Sequence, residues 1–159
     1  GAKFTRLYFK DCYIDGTTDF IFGPSTALFE NCMIHSKRNS YVTAASTPKE
    51  AKYGYIFKHC KLTAEPGVDK VYLGRPWRPY AYTLFIECEL GKHIVPAGWH
   101  NWGKQSNEET ARYMEYKNTG EGANASERVA WSKQLTKKEA EAVTVDAIFR
   151  TQSDWDPID

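Results

Sequence analysis

The sequence has no C-x-x-C pair, no Asn-Gly dipeptide, no long apolar run and almost no net charge. Each absence removes a class of protein. Lys and Arg total 21 against 20 Asp and Glu, a balance of +1, so there is no electrostatic footprint for nucleic acid or an anionic membrane. No apolar stretch approaches the roughly 18 residues that span a bilayer, and Gly1-Ala2-Lys3 does not begin a hydrophobic signal core. The compartment must therefore be inferred from other features. Cysteines 12, 32, 60 and 88 are spaced by 20, 28 and 28 residues, which disfavours a zinc site. The four histidines share no metal spacing, and solvent or corner positions are expected for them. At 159 residues the chain suits one domain. What it has in quantity is aromatic side chains, with five Trp and ten Tyr, several beside Gly and Pro where exposed rings would suit flat ligands such as sugars.

One pattern occurs four times: Phe9-Lys-Asp-Cys12-Tyr-Ile14, Phe29-Glu-Asn-Cys32-Met-Ile34, Phe57-Lys-His-Cys60-Lys-Leu62 and Phe85-Ile-Glu-Cys88-Glu-Leu90. Apolar alternation runs up to the Phe and resumes from the Cys, with its parity broken between them. A parity break at the same place in every copy implies a corner between two strands that share one interior. Short strands with a corner, repeated every 20 to 28 residues, describe the coils of a β-solenoid. Its Phe and Cys would stack in ladders, the thiols packing as small hydrophobes. An antiparallel sandwich is the competing architecture, and the missing Asn-Gly hairpin turns argue against it.

The pattern lapses after the fourth copy, and Gly98 to Asn124 reads as loop. Coils are thus expected over about residues 1–103, with a loop and helical tail over about 104–159. Thr136-Lys-Lys-Glu139 has capping-box spacing and opens a helix over Lys137 to Val143. Val145, Ile148 and Phe149 suggest a further short amphipathic turn covering the solenoid.

Three segments between the repeats occupy one phase of the coil: Gly16-Thr-Thr-Asp19-Phe-Ile-Phe-Gly23, Tyr41-Val-Thr-Ala-Ala45 and Tyr72-Leu-Gly-Arg75-Pro-Trp77. One coil separates Asp19 from Arg75, so at about 4.8 Å per coil their backbones lie roughly 10 Å apart. An Arg and a carboxylate can close that gap with a charge-assisted fork. A guanidinium there favours and orients an ionised carboxylate, as a nucleophile for an ester carbonyl requires. Trp77 would offer a ring for a pyranose, and Phe22 and Trp102 are candidates for further walls. A purely structural salt bridge fits the same spacing.

Gly16-Thr-Thr-Asp19-Phe-Ile-Phe-Gly23 resembles the G-x-V-D-F-I-F-G signature of pectin methylesterases, and Leu73-Gly-Arg75-Pro-Trp77 resembles their L-G-R-P-W. Similarity continues through Val42-Thr-Ala-Ala45, Val95-Pro-Ala-Gly-Trp99, Ala111-Arg-Tyr-Met-Glu115-Tyr and Asn118-Thr-Gly120, covering nearly the whole chain. The resemblance implies an all-β, right-handed parallel β-helix with terminal loops and short helices packed on it. It also implies a secreted or periplasmic enzyme that acts on methyl-esterified homogalacturonan without metal or organic cofactor. By matching position, Asp19 is the nucleophile and Arg75 orients it and keeps it ionised. Trp77, Phe22 and Trp102 line the sugar subsites.

The sequence departs from the family pattern at Thr18, where Val is usual, and at Tyr80, where a small polar residue is common. Both are expected to tune the subsites. Residues 1–15 contain no Gln-Asp-Thr segment, which in the family supplies the general acid and oxyanion glutamine. The chain is therefore expected to be the C-terminal portion of a catalytic domain, completed by an N-terminal segment and inactive alone. A non-catalytic pectin-binding fragment and an esterase for another carbohydrate ester are the alternatives. Pectate lyase or polygalacturonase chemistry would need an acidic cluster beside Asp19, which the sequence does not supply.

Overall fold

The computed structural model describes residues 5–150, so the ends of the expected domain, 1–4 and 151–159, lie outside the described residues. The first coil comprises β1 (Arg6–Lys10), β2 (Tyr13–Gly16) and β3 (Ile21–Gly23), and the second β4 (Thr26–Glu30), β5 (Met33–Ser36) and β6 (Tyr41–Ala45). The third holds β7 (Tyr55–Lys58), β8 (Lys61–Ala64) and β9 (Tyr72–Gly74), and the fourth β10 (Tyr82–Ile86) and β11 (Glu89–Leu90). After α1 (Asn107–Thr110) come β12 (Arg112–Tyr116), β13 (Lys133–Gln134), α2 (Lys137–Glu141) and α3 (Val145–Arg150). Strands of successive coils pair in parallel to form three sheets, ordered β1-β4-β7-β10-β12-β13, β11-β8-β5-β2 and β3-β6-β9. This is the parallel β-helix expected from the repeat.

Register puts Phe9, Phe29, Phe57 and Phe85 on one another. Their rings stack at 4.8, 4.5 and 4.4 Å between centroids, within 9° of coplanar. Ile14, Ile34, Leu62 and Leu90 form a second ladder across the next sheet. All four cysteines are free thiols, and the Sγ atoms of Cys32, Cys60 and Cys88 each donate to the carbonyl of the Phe one coil earlier, at 3.5, 3.3 and 3.4 Å. The thiols thus fill space and satisfy backbone acceptors at the corner.

The corner has a definite backbone origin. Asp11, Asn31, His59 and Glu87, each immediately before a ladder Cys, have φ of 56°, 53°, 54° and 49°. One left-handed residue turns the chain and shifts side-chain parity, which is the break visible in the sequence. Lys117, with φ of 45°, makes the same corner after β12. The segment expected to be loop therefore contains a further rung. Glu115 pairs with Phe85 in register, and Asn118 Oδ1 accepts the Cys88 N–H at 2.9 Å. The pattern lapses because Glu and Asn replace Phe and Cys while the backbone path persists.

Thr136 and Glu139 form the expected reciprocal capping box, although α2 ends at Glu141 rather than Val143. Ile148 and Phe149 of α3 are fully buried in a cluster with Leu28, Ile56 and Leu84 on the outer side of the large sheet. The tail covers the solenoid on that side, leaving the face of β3, β6 and β9 to carry the site.

Candidate active site

Asp19 sits between β2 and β3, and its N–H donates to the Tyr41 carbonyl at 2.9 Å. Its φ of 50° is left-handed, a conformation Asp tolerates better than most residues and one often found where a side chain must be aimed. Arg75 follows β9, with its N–H on the Thr43 carbonyl at 3.1 Å. Gly74 has to precede it, because a Cβ there would overlap Thr43 Oγ1. From these anchors Arg75 reaches back across β6. Its Nε lies 3.1 Å from Asp19 Oδ1 and its terminal nitrogen 2.6 Å from Oδ2, a two-point fork. The two side chains are 21% and 19% exposed, so the pair is shielded yet reachable.

Aromatic rings surround the pair. Phe22, on β3, is 62% exposed and meets the edge of Trp77, itself 39% exposed, at 6.0 Å. Trp77 is fixed by its N–H on the Ala45 carbonyl at 3.0 Å, and the Arg78 guanidinium carbon lies 5.3 Å from its ring centre. Trp102 comes from the loop after Trp99, with its ring centre 3.9 Å from Arg75 Cζ. Thr18 is exposed next to Asp19. Tyr80 is engaged elsewhere: its ring centre is 5.3 Å from Lys49 Nζ, and its carbonyl accepts two bonds from Arg112 at 2.9 and 2.7 Å. The structure thus groups Asp19, Arg75 and Trp102 tightly, sets Phe22 and Trp77 against one another a few residues along the chain from Asp19 and Arg75, and engages Tyr80 with Lys49 and Arg112.

Two residues of this site were not singled out from sequence. Tyr41 presents its ring 3.8 Å from Arg75 Cζ, on β6 between the coils of Asp19 and Arg75. His100 packs edge-on to both Tyr41 and Tyr72, at 5.5 and 5.3 Å. The available signal was Tyr41 and Tyr72 sharing one phase of the coil, which the structure realises as a register pair stacked at 5.2 Å. Only some histidines occupy the expected corner or solvent positions. His59 forms a corner, whereas His93 is buried and desolvation pushes it down to about 4. Burial, then the Arg75 charge, lowers the His100 pKa from 6.5.

A carboxylate clamped at both oxygens by one guanidinium, flanked by exposed rings, can attack an electrophilic carbon presented by a stacked sugar. Among the described residues Asp19 is the carboxylate ion-paired with Arg75. The family model described as Pectinesterase matches residues 2–152. Pectinesterase 31 of Arabidopsis thaliana is 44% identical over 136 residues, spanning 85% of this chain and 43% of that protein. A pectin methylesterase from carrot superposes with a TM-score of 0.85 at 33% identity, covering 91% of this chain and 50% of that one. A pectin methylesterase in complex with a hexasaccharide superposes with a TM-score of 0.80 at 30% identity, covering 96% and 52%. The chain spans about half the length of these relatives. With the coil stack and the match over residues 2–152 in agreement, the chain belongs to the pectinesterase family.

Proposed function

We propose that the protein hydrolyses the methyl esters of galacturonate units in pectin, with Asp19 as the nucleophile. The observation that carries this reading is the Asp19–Arg75 fork, set among exposed aromatic rings. Arg75 fixes both carboxylate oxygens, so one can be aimed at a bound ester without the entropy of a free side chain. Phe22 and Trp77 form the wall on which pyranose rings stack, the open part of Trp102 adds a further surface, and Thr18 and Tyr80 border the subsites.

An Asp19 oxygen adds to the C6 carbonyl of a methyl galacturonate. The tetrahedral adduct collapses, the bond to the methoxy oxygen breaks, and methanol departs with a proton from a general acid. A mixed anhydride joins Asp19 to the sugar. Water then attacks the anhydride and gives one proton back to that acid, the bond to the Asp19 oxygen breaks to restore its carboxylate, and the galacturonic acid released loses its remaining proton to solvent. We assign the acid and the oxyanion donors to a part of the catalytic domain outside residues 1–159. The 159 residues alone are accordingly expected to bind oligogalacturonide but to release methanol poorly. Pectin is a cell-wall polymer, which puts the site of action outside the cytoplasm.

The test is methanol release from methyl-esterified pectin by the full-length gene product and its Asp19→Asn variant. The substitution keeps size and removes the nucleophilic charge, so a loss of at least about 1,000-fold is expected. Unchanged turnover in the variant would overturn the assignment.

A further inference from the structure

We propose that Tyr41 and His100 are positioning residues for the Asp19–Arg75 pair, Tyr41 holding one face of the guanidinium and His100 pinning the loop whose Trp102 holds the other. This rests on the esterase role proposed for Asp19, and it adds two residues that touch neither substrate nor the reacting atoms.

Arg75 Cζ lies 3.8 Å from the centre of the Tyr41 ring and 3.9 Å from that of Trp102. With two rings against it and both Asp19 oxygens along one edge, the guanidinium has little freedom to rotate. Tyr41 serves both partners at once. Its carbonyl accepts the Asp19 N–H at 2.9 Å, and its ring supports the arginine that forks Asp19. The ring is held in turn by Tyr72, stacked at 5.2 Å and 20°.

Trp102 needs a separate anchor. Its φ of 64° is left-handed, which is costly for a bulky residue, so the loop must be fixed from outside. The anchor is His100, whose N–H donates to the Gly74 carbonyl at 3.0 Å, next to Arg75 in sequence. His100 Nδ1 accepts the Trp102 N–H at 3.0 Å, which requires the neutral tautomer protonated at Nε2. Protonation would convert this acceptor to a donor and place a second cation beside Arg75. The groups facing the imidazole are the Tyr41 ring from β6, the Tyr72 ring from β9 and the Arg75 guanidinium; no carboxylate pairs with it among the described residues. Burial and Arg75 both favour the neutral form. The clamp is therefore complete near neutrality and loosens as His100 protonates below pH 6.5.

The test uses the full-length gene product with Tyr41→Phe, Tyr41→Leu, His100→Asn and His100→Ala. It measures kcat and KM for methanol release across pH, together with the Arg75 Nε–H resonance in arginine-labelled protein. Tyr41→Leu and His100→Ala should lower kcat on the order of 10-fold with little change in KM, and each should shift the upfield Arg75 signal toward its free position. Tyr41→Phe retains the ring and should recover both readouts. Asn at position 100 can offer Oδ1 in place of Nδ1 without titrating, so it should recover both and extend the acid limb to lower pH. The proposal is overturned if the leucine and alanine variants change KM alone, if their kcat is unaltered, or if the conservative variants fail to recover. If the wild type releases no methanol, the esterase role fails, and the Arg75 resonance still decides the clamp.

Discussion

Arg128→Ala should strand a buried charge at the last rung of the ladder. Glu115 occupies the Phe position of the β12 coil, and both it and Arg128 have side chains only 3% exposed. Its carboxylate accepts from Arg128 Nε at 2.9 Å and a terminal nitrogen at 3.1 Å, with Asn118 at 3.3 Å and Gln134 at 3.1 Å. Arg128 also donates to the Val95, Pro96 and Gly122 carbonyls. Removing the arginine leaves a carboxylate in a dry site with only neutral donors, together with carbonyls that lose their partner. Breaking a buried pair in this way costs about 3–5 kcal/mol. Coils of a solenoid interact mainly with their neighbours, so the loss should appear first as fraying of β12. The assay is native-state hydrogen exchange at Met114 and Tyr116, alongside urea unfolding followed by Trp fluorescence. In Glu115→Gln/Arg128→Ala the stranded charge is gone, and about 1–2 kcal/mol of the deficit should return. A deficit below about 1 kcal/mol in Arg128→Ala, or strictly additive single effects, would refute the claim that the two charges act as one buried unit.

Two further outcomes follow from the core. Phe57 has a stacked ring on each side, at 4.5 and 4.4 Å, so Phe57→Ala opens a gap in the middle of the ladder. It should cost about 3–5 kcal/mol by urea unfolding, and a loss under about 1 kcal/mol would show that the stack carries little of the stability. His93 is buried, its Nε2 has no hydrogen-bond partner among the described residues, and burial lowers its pKa from 6.5 to about 4. Because the folded value lies below the unfolded one, its contribution is complete above pH 6.5 and is lost as pH falls toward about 4, on the order of 3 kcal/mol in all. Unfolding midpoints measured between pH 7 and 4 should fall less steeply in His93→Gln, and an identical slope would contradict the assignment.

The coil architecture was legible because a solenoid repeats the same solution in each turn. Phe, a left-handed residue, Cys and an aliphatic recur at Phe9, Asp11, Cys12 and Ile14 and in the following copies, so chemistry and geometry coincide. The rung at β12 was not legible, because Glu115 and Asn118 meet the same backbone demand with different chemistry. A partner at Arg128 is what makes Glu acceptable there, and pairing across 13 residues of irregular chain leaves no periodic trace. At the site, Asp19 and Arg75 could be brought together from coil spacing alone. Tyr41 could not, since an aromatic residue in a strand is explained by strand preference. His100 was equally opaque: its role depends on hydrogen bonds to Gly74 and to Trp102 two residues on, which metal spacing or charge pattern does not report.

The geometry of the pair follows from the stack itself. Asp19 and Arg75 leave the backbone on coils that flank β6, and the parallel hydrogen bonds of Asp19 to Tyr41 and of Arg75 to Thr43 fix both relative to that one strand. A register slip of one coil would move Arg75 by about 4.8 Å, more than a fork at 3.1 and 2.6 Å can absorb. Lysine at position 75 could reach Asp19 but would offer a point charge, with neither the second contact nor a flat face for Tyr41 and Trp102. The anchors of this pair, from Asp19 to Trp102, belong to coils that are packed and paired within residues 5–150. Formation of the pair is therefore a property of these coils, separable from turnover.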